Sequence, residues 1–382
     1  MTQPPPASRG NQPLRRGGRA VAALVVALAV VAVPASPARA DRIRDLQWFW
    51  GDLDLTQAQK VSEGAGVTVA VLDTGVDRTH ADLKGAVKGG QSIAEHREPG
   101  NIDPEKHGTG IAGIIAGRGH GSGGDAGVRG IAPEATIMPI DPINDTVLVA
   151  RGIDWAVEHG AKVINMSFGV RPSETLHTAI RNARAAGVVL VAAAGNEADK
   201  GNDLAYPGAY PEVITVGSLD RHGKILKTSN HGEQVDIAAP GDAIPGPRPD
   251  GGYVSLTGNS ASAAIVSGAA ALILAKYPDL QPAQVEARLI ATAIDRGTKG
   301  RDDYYGAGAL NLMAALTGPQ PAVLPDEQPT SAGPAAAAPY TPAPADKGLP
   351  GWLFLVAVAA VLALIIALIT TVLLVARRRR TA

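Results

Sequence analysis

The chain has 382 residues and a formal net charge of −1, from 35 Lys+Arg against 36 Asp+Glu, but the charges are partitioned rather than mixed. Nine arginines sit at the two ends (Arg9, Arg15, Arg16, Arg19 and Arg39, then Arg377 to Arg380); the stretch between holds 26 basic against 36 acidic residues, a net of −10, so no nucleic-acid partner with its need for a basic footprint is expected. Apolar residues at 45% and charged residues at 19% fit a globular core plus hydrophobic segments, and the absence of cysteine excludes a disulfide framework, a thiol nucleophile and Cys-ligated zinc or iron–sulfur sites.

Residues 1–40 read as a secretory signal. A basic stretch ending at Arg19 precedes the apolar run 20–33, and Ala38-Arg39-Ala40 offers a small-x-small cleavage site before Asp41. An uncleaved N-terminal anchor is the alternative, and the Arg15-Arg16 pair is too little for a twin-arginine signal. Residues 41–66 form an N-terminal extension to the folded unit.

From 67 to 318 short apolar runs alternate with helix-like stretches. Val-Thr-Val-Ala-Val-Leu at 67–72 is a buried-strand pattern closed by Asp73-Thr74-Gly75, and 162–168, 188–194 and 213–219 resemble it. Helical spacing occupies 145–159 and 173–186; the second opens on a serine cap and closes at Gly187. This alternation predicts an α/β domain with a mostly parallel sheet covered on both faces, a three-layer arrangement. Functional groups in such sheets gather at the carboxyl ends of strands, where Asp73, the Ser167-Phe168-Gly169 turn and Asn196 all fall. Residues 117–124, with a loose Gly-x-Gly pattern after a helix, read as a mobile surface loop rather than a phosphate cradle.

Residues 319–351, rich in Pro and Ala, read as an extended spacer with little to bury. The uncharged run 352–375 is long enough to cross a bilayer, about 36 Å as a helix against a core of about 30 Å. It places a single transmembrane helix at 352–376, and the basic tail 377–382 directs the C-terminus to the cytoplasm and everything before the helix outside. The expected location is the cell membrane, single-pass, with the folded domain extracytoplasmic.

Three short segments carry candidate chemistry. Asp73 in Asp-Thr-Gly could be half of an aspartic-protease pair, but such an enzyme needs two of these turns and the chain has one; alone it reads as a strand-ending Asx turn. His107 heads His-Gly-Thr-Gly-Ile-Ala-Gly, whose small residues suit a closely packed helix, and alone it reads as structural. Ser260 lies beyond the Gly258 turn at a helix N-terminus, where free N–H groups favour an anionic oxygen; alone it reads as an N-cap. Their order, Asp then His then Ser, is one of the known orders of the Ser-His-Asp arrangement.

With that order and Ala192-Ala-Ala-Gly195-Asn196, the chain resembles the subtilisin-family serine proteases over 67–312. The resemblance implies a three-layer subtilisin-like fold and a serine endopeptidase acting on protein or peptide substrates, without a cofactor. It makes Ser260 the nucleophile, His107 the general base, and Asp73 the group that orients the imidazole. Asn196 becomes the oxyanion-hole donor, and Ser167, Phe168, Gly169, Ala194 and Gly195 the lining of the substrate site. Asn259 stands where the family usually has Thr, and Ala264 where it usually has Pro. Structural calcium occurs in many subtilisins, but no compact acidic ligand run supports a metal site.

The signal, proline-rich spacer, single anchor, basic tail and the segment Ile43-Arg44-Asp45-Leu46-Gln47-Trp48 resemble the mycosins, membrane-anchored subtilisin-like proteases of type VII secretion. The absence of the cysteines many mycosins carry is a departure. About 26 residues precede the first strand, too few for a folded inhibitory propeptide, so the extension is expected to pack on the domain. The resemblance implies a partner in the type VII secretion membrane complex. The competing reading is a structural component of that complex whose proteolysis is dispensable or lost.

Overall fold

A computed structural model describes residues 42–95, 102–141 and 145–321. The signal, spacer, transmembrane and tail expectations lie outside these residues. One described helix, Asn259–Lys276, is long and apolar enough to span a bilayer, but 83% of it is buried within the domain, as the core helix of a water-soluble domain would be.

The strands, in chain order, are β1 (Thr68–Leu72), β2 (Gln91–Ser92), β3 (Arg118–His120), β4 (Ala126–Arg129), β5 (Thr136–Asp141), β6 (Val163–Met166), β7 (Val189–Ala193), β8 (Ile214–Leu219), β9 (Ile237–Pro240), β10 (Ile244–Arg248) and β11 (Gly252–Leu256). Seven form one sheet, ordered β2-β5-β1-β6-β7-β8-β9, with every neighbouring pair parallel. β3 with β4 and β10 with β11 form antiparallel hairpins beside it.

Alternation along the strands divides the core in two. Val69 and Val71 of β1 and Val189, Val191 and Ala193 of β7 face one cluster, which includes helices His107–Ala116 and Asn259–Lys276. Ala70, Leu72, Leu190 and Ala192 face the other, under helices Thr146–Glu158 and Glu174–Ala185. The predicted three layers are present. Ser173 caps its helix as expected, accepting from the Leu176 N–H at 3.2 Å.

Helix Asn259–Lys276 is apolar on every side because it is buried on every side. Its alanines and glycine permit close packing: a Cβ on Gly268 would meet the Ile131 Cβ at 2.5 Å.

The N-terminal extension forms helices Arg42–Asp45, Phe49–Asp52 and Leu55–Val61 and packs on the domain as expected. Phe49, Leu53, Leu55 and Ala58 join the same core cluster as the Asn259–Lys276 helix. Ser62 Oγ donates to the Leu272 carbonyl at 2.8 Å and Gln47 pairs with the backbone of Arg129 in both directions, at 2.8 and 3.0 Å.

The stretch expected to be a mobile loop at 117–124 is instead the β3–β4 hairpin, with a 3-10 turn at Ser122–Gly124. Buried Asp82 organises it, accepting from Val128 N–H at 2.8 Å and pairing with His120 Nδ1 at 2.6 Å. Side-chain tethers, not a strand-like pattern, make this segment ordered.

Candidate active site

β1 ends at Leu72, and the next residue, Asp73, is 1% exposed. An unpaired buried carboxylate would be costly, and two donors compensate it through three contacts. The Thr74 backbone N–H lies 2.8 Å from Oδ1, and His107 Nδ1 lies 2.8 Å from Oδ1 and 3.0 Å from Oδ2. The imidazole therefore carries its proton on Nδ1, toward the carboxylate, and leaves Nε2 as an acceptor. Its side chain stays 29% exposed.

His107 opens helix His107–Ala116, whose first turn is fixed by a second buried carboxylate, Asp103. Asp103 Oδ2 accepts the Thr109 N–H at 2.8 Å, and its Oδ1 accepts the Thr74 hydroxyl at 2.6 Å. Thr74 Oγ1 in turn accepts the Gly108 N–H at 3.1 Å. Residue 108 must be glycine: a Cβ there would lie 2.2 Å from the Gly75 carbonyl oxygen and 3.0 Å from the Asp73 Cβ. Burial pulls the pKa of His107 down, but the charge and hydrogen bond of Asp73, with the charges of Asp103 and Glu105, outweigh it, and the net shift is upward.

Ser260 lies in the first turn of helix Asn259–Lys276, where its N–H has no intrahelical acceptor. Two strand ends hold this turn. At the end of β6, Ser167 Oγ donates to the Ser260 carbonyl and Ser260 Oγ donates to the Ser167 carbonyl, both at 3.0 Å. Beyond β7, Asn196 Oδ1 accepts the Asn259 N–H at 2.9 Å, and Asn259 Nδ2 donates to the Gly195 carbonyl. The Asn196 amide is thereby oriented with Nδ2 free of any partner among the described residues. Gly258 makes the approach possible, with φ +131° and Asn196 Oδ1 only 2.6 Å from where a Cβ would stand.

The structure thus brings Asp73 and His107 into direct contact, and joins Ser260 to Ser167 and its neighbour Asn259 to Asn196 and Gly195. No hydrogen bond links Ser260 to His107 among the described residues. Phe168 packs half-buried on the second core cluster, Gly169 is exposed, and buried Ala194 is tied to β8 through its N–H and the Val216 carbonyl at 3.1 Å. Sequence reasoning passed over Asp103, which lies four residues before His107; an acidic residue at that spacing ahead of a helix start was the available signal. It also passed over Asn165, an amide within the apolar Val-Ile-Asn-Met strand β6.

The Subtilase family model matches residues 64–308. Subtilisin DY of Bacillus licheniformis is 39% identical over 270 residues, 69% of this chain and 94% of that protein. Among solved structures, fervidolysin from Fervidobacterium pennivorans, a keratinolytic enzyme related to subtilisin, aligns with a TM-score of 0.65 at 34% identity; the match covers 75% of this chain and about half of fervidolysin, 49%. MycP1 aligns in three solved structures. The one from Mycobacterium smegmatis has a TM-score of 0.61 at 33% identity, covering 73% of this chain and 87% of that one. The one from the ESX-1 type VII secretion system has a TM-score of 0.62 at 33% identity, covering 72% and 88%.

Proposed function

The chain belongs to the subtilase family and is a subtilisin-like serine protease, and we propose that it cleaves exported proteins from the outer face of a membrane through an Asp73–His107–Ser260 triad. The observation that carries the triad is the Asp73–His107 pair, at 2.8 and 3.0 Å, with Ser260 in the first turn of a helix that shares the core cluster of the helix His107 opens. His107 Nε2 takes the Ser260 hydroxyl proton as Oγ attacks the scissile carbonyl, and returns it to the leaving amine; water then repeats the sequence on the acyl-enzyme. Asp73 holds the tautomer this requires. The Ser260 N–H and Asn196 Nδ2 receive the oxyanion. Ser167 to Gly169 and Ala194 to Gly195, the segments at the ends of β6 and β7, line the substrate site.

In the resting state the Ser260 hydroxyl donates to Ser167 O instead of His107. Catalytic hydrogen bonds are commonly long or misaligned until substrate binds. A fluorophosphonate probe applied to the full-length protein tests the assignment: labelling of wild type and none of Ser260→Ala is expected, and labelling that survives in Ser260→Ala refutes it.

The basic and apolar pattern of 1–40, the Pro- and Ala-rich composition of 319–351 and the uncharged apolar run followed by four arginines support a membrane-anchored, extracytoplasmic domain. Likeness to MycP1 from the ESX-1 type VII secretion system supports association with such a system. Proteolysis of intact cells tests the topology: the domain should be accessible from outside and the tail after 376 protected. The bond from Ser260 to Ser167 and Asn259 at the usual Thr position favour, as a second reading, a structural component of a secretion complex. Secretion restored in a deletion strain by Ser260→Ala supports that role; failure to restore it supports proteolysis.

A further inference from the structure

A buried polar chain runs away from the nucleophile into the core. Ser267 lies two helical turns beyond Ser260, so the two share a face of helix Asn259–Lys276. Ser267 Oγ donates to Asn165 Oδ1 at 3.0 Å, Asn165 Nδ2 donates to Ser167 Oγ at 2.9 Å, and Ser167 Oγ donates to the Ser260 carbonyl at 3.0 Å. Ser267 and Asn165 are both fully buried, among side chains that are otherwise apolar. A core amide and hydroxyl cost stability unless satisfied, and replacing both by apolar groups of like shape is nearly neutral.

The direction of the chain is fixed by chemistry. The Ser260 carbonyl can only accept, so Ser167 must donate to it and must itself accept from Asn165. That turns the Asn165 carbonyl oxygen toward Ser267, which supplies the proton. Each link makes one bond in one direction, and the last one holds the backbone of the residue whose N–H and Oγ the reaction uses. The far side of the same turn is held by Asn259 on Gly195 and Asn196. The turn is therefore anchored on both flanks, and the β6 flank reaches through the core to Ser267.

We propose that Asn165 and Ser267 are positioning residues of the proteolytic reaction, acting on Ser260 through Ser167 without touching substrate. The inference rests on Ser260 being the nucleophile. It accounts for a polar residue in the middle of β6 and for a buried serine in the interior of the helix, where the residues from Ala263 to Val266 and from Gly268 to Leu274 are apolar. A loosened turn misplaces the nucleophile and its N–H while leaving the substrate cleft intact, so the effect belongs in kcat and not in KM.

The test compares wild type, Ser267→Ala, Ser267→Thr, Ser167→Ala and Ser260→Ala as full-length proteins. Three quantities are read: the rate constant for inactivation by diisopropyl fluorophosphate, kcat and KM on a peptide substrate, and the melting temperature. Diisopropyl fluorophosphate is small and reports on Ser260 without peptide subsites. In Ser267→Ala the inactivation rate and kcat should both fall about threefold to tenfold, as for one lost hydrogen bond, with KM within about twofold. Ser267→Thr, which keeps the hydroxyl, should recover most of the loss, and Ser167→Ala should lose at least as much as Ser267→Ala. Folded Ser267→Ala with wild-type inactivation and kcat overturns the inference, as does a change confined to KM. If Ser267→Ala does not fold, Ser267→Cys, which keeps the volume but donates only weakly, decides by the same criteria. Wild type that resists the reagent, or labelling that persists in Ser260→Ala, refutes the nucleophile assignment itself. A wild-type rate in Ser267→Ala against a null Ser260→Ala refutes the positioning role alone.

Discussion

Thr74→Val changes one oxygen for a methyl group at nearly constant volume, and the structure gives the size of the effect. The Thr74 hydroxyl donates to Asp103 at 2.6 Å and accepts the Gly108 N–H at 3.1 Å. A hydrogen bond to a carboxylate contributes about 1.5–3 kcal/mol, and an orphaned buried N–H costs about 1–3 kcal/mol. Thr74 is only half-buried, so water recovers part of both, and a loss of roughly 2–4 kcal/mol is expected. For a domain of this size that is a fall in melting temperature of about 3–7 °C. Thr74→Ser keeps the hydroxyl and should stay within about 1 kcal/mol of wild type. Calorimetry on the three proteins gives the stabilities, and turnover of a peptide substrate gives the activities. Because Gly108 and His107 share the first helical turn, kcat/KM of the valine variant should fall by about tenfold. Valine and serine variants that melt together would refute the assignment of the Asp103–Thr74–Gly108 bonds as the support of that turn.

Asn196→Ala should remain folded with kcat lowered about 10²–10³-fold, checked by steady-state kinetics beside a thermal melt. The net upward shift of His107 stabilises its protonated form, so kcat/KM should rise with pH through a midpoint above the usual histidine value. Asp73→Asn, which leaves burial acting without the carboxylate, should move that midpoint down as well as slow the reaction. Gly108→Ala drives a methyl group into Gly75 O and the Asp73 side chain, and should abolish proteolysis while lowering the melting temperature. Away from the site, burial, and more weakly the charge of Glu286, push the Asp236 carboxyl up to about 6 against the hydrogen bond from Thr215 and the Arg301 charge. A carboxyl raised on folding stabilises when protonated, so this contribution is present at low pH and is lost as pH rises from about 4 to 6, by at most about 3 kcal/mol. Asp236→Asn should flatten that slope in urea titrations run across the window.

The strands most visible in the sequence were those rich in β-branched residues, β1, β6, β7 and β8, because they are buried on both faces and read as continuous apolar runs. β5 was hidden by Pro139, which removes a backbone donor from its middle; it is tolerated one strand from the sheet edge, where the outer neighbour β2 pairs only with Ile140 and Asp141. β9, Ile-Ala-Ala-Pro, has no alternation to detect. Of the candidate site, Asp73, His107 and Ser260 stood out in the sequence because ordered motifs carry them. The residues that hold them did not: Asp103 bonds Thr109 and Thr74 across 6 and 29 positions of chain, and Asn165 bonds Ser167 and Ser267 across 2 and 102, and pair contacts of that kind leave no periodicity. The ordering of the β3–β4 hairpin has the same origin, since His120 and Asp82 meet across 38 residues.

The order of the central sheet bears on when the enzyme becomes an enzyme. β1, β6 and β7 lie side by side, yet they come from 68–72, 163–166 and 189–193, and the helix they support begins at Asn259. Parallel neighbours of this kind pair only after long crossovers close, which makes folding slow and dominated by distant contacts. Asp73 and His107 lie 34 positions apart, but Ser260 is far down the chain, so no local fragment contains all three members of the candidate triad. A newly made polypeptide is therefore harmless to its neighbours until the whole sheet is assembled, and proteolytic competence reports completed folding rather than the presence of the chain. Loss of activity on denaturation should accordingly coincide with global unfolding.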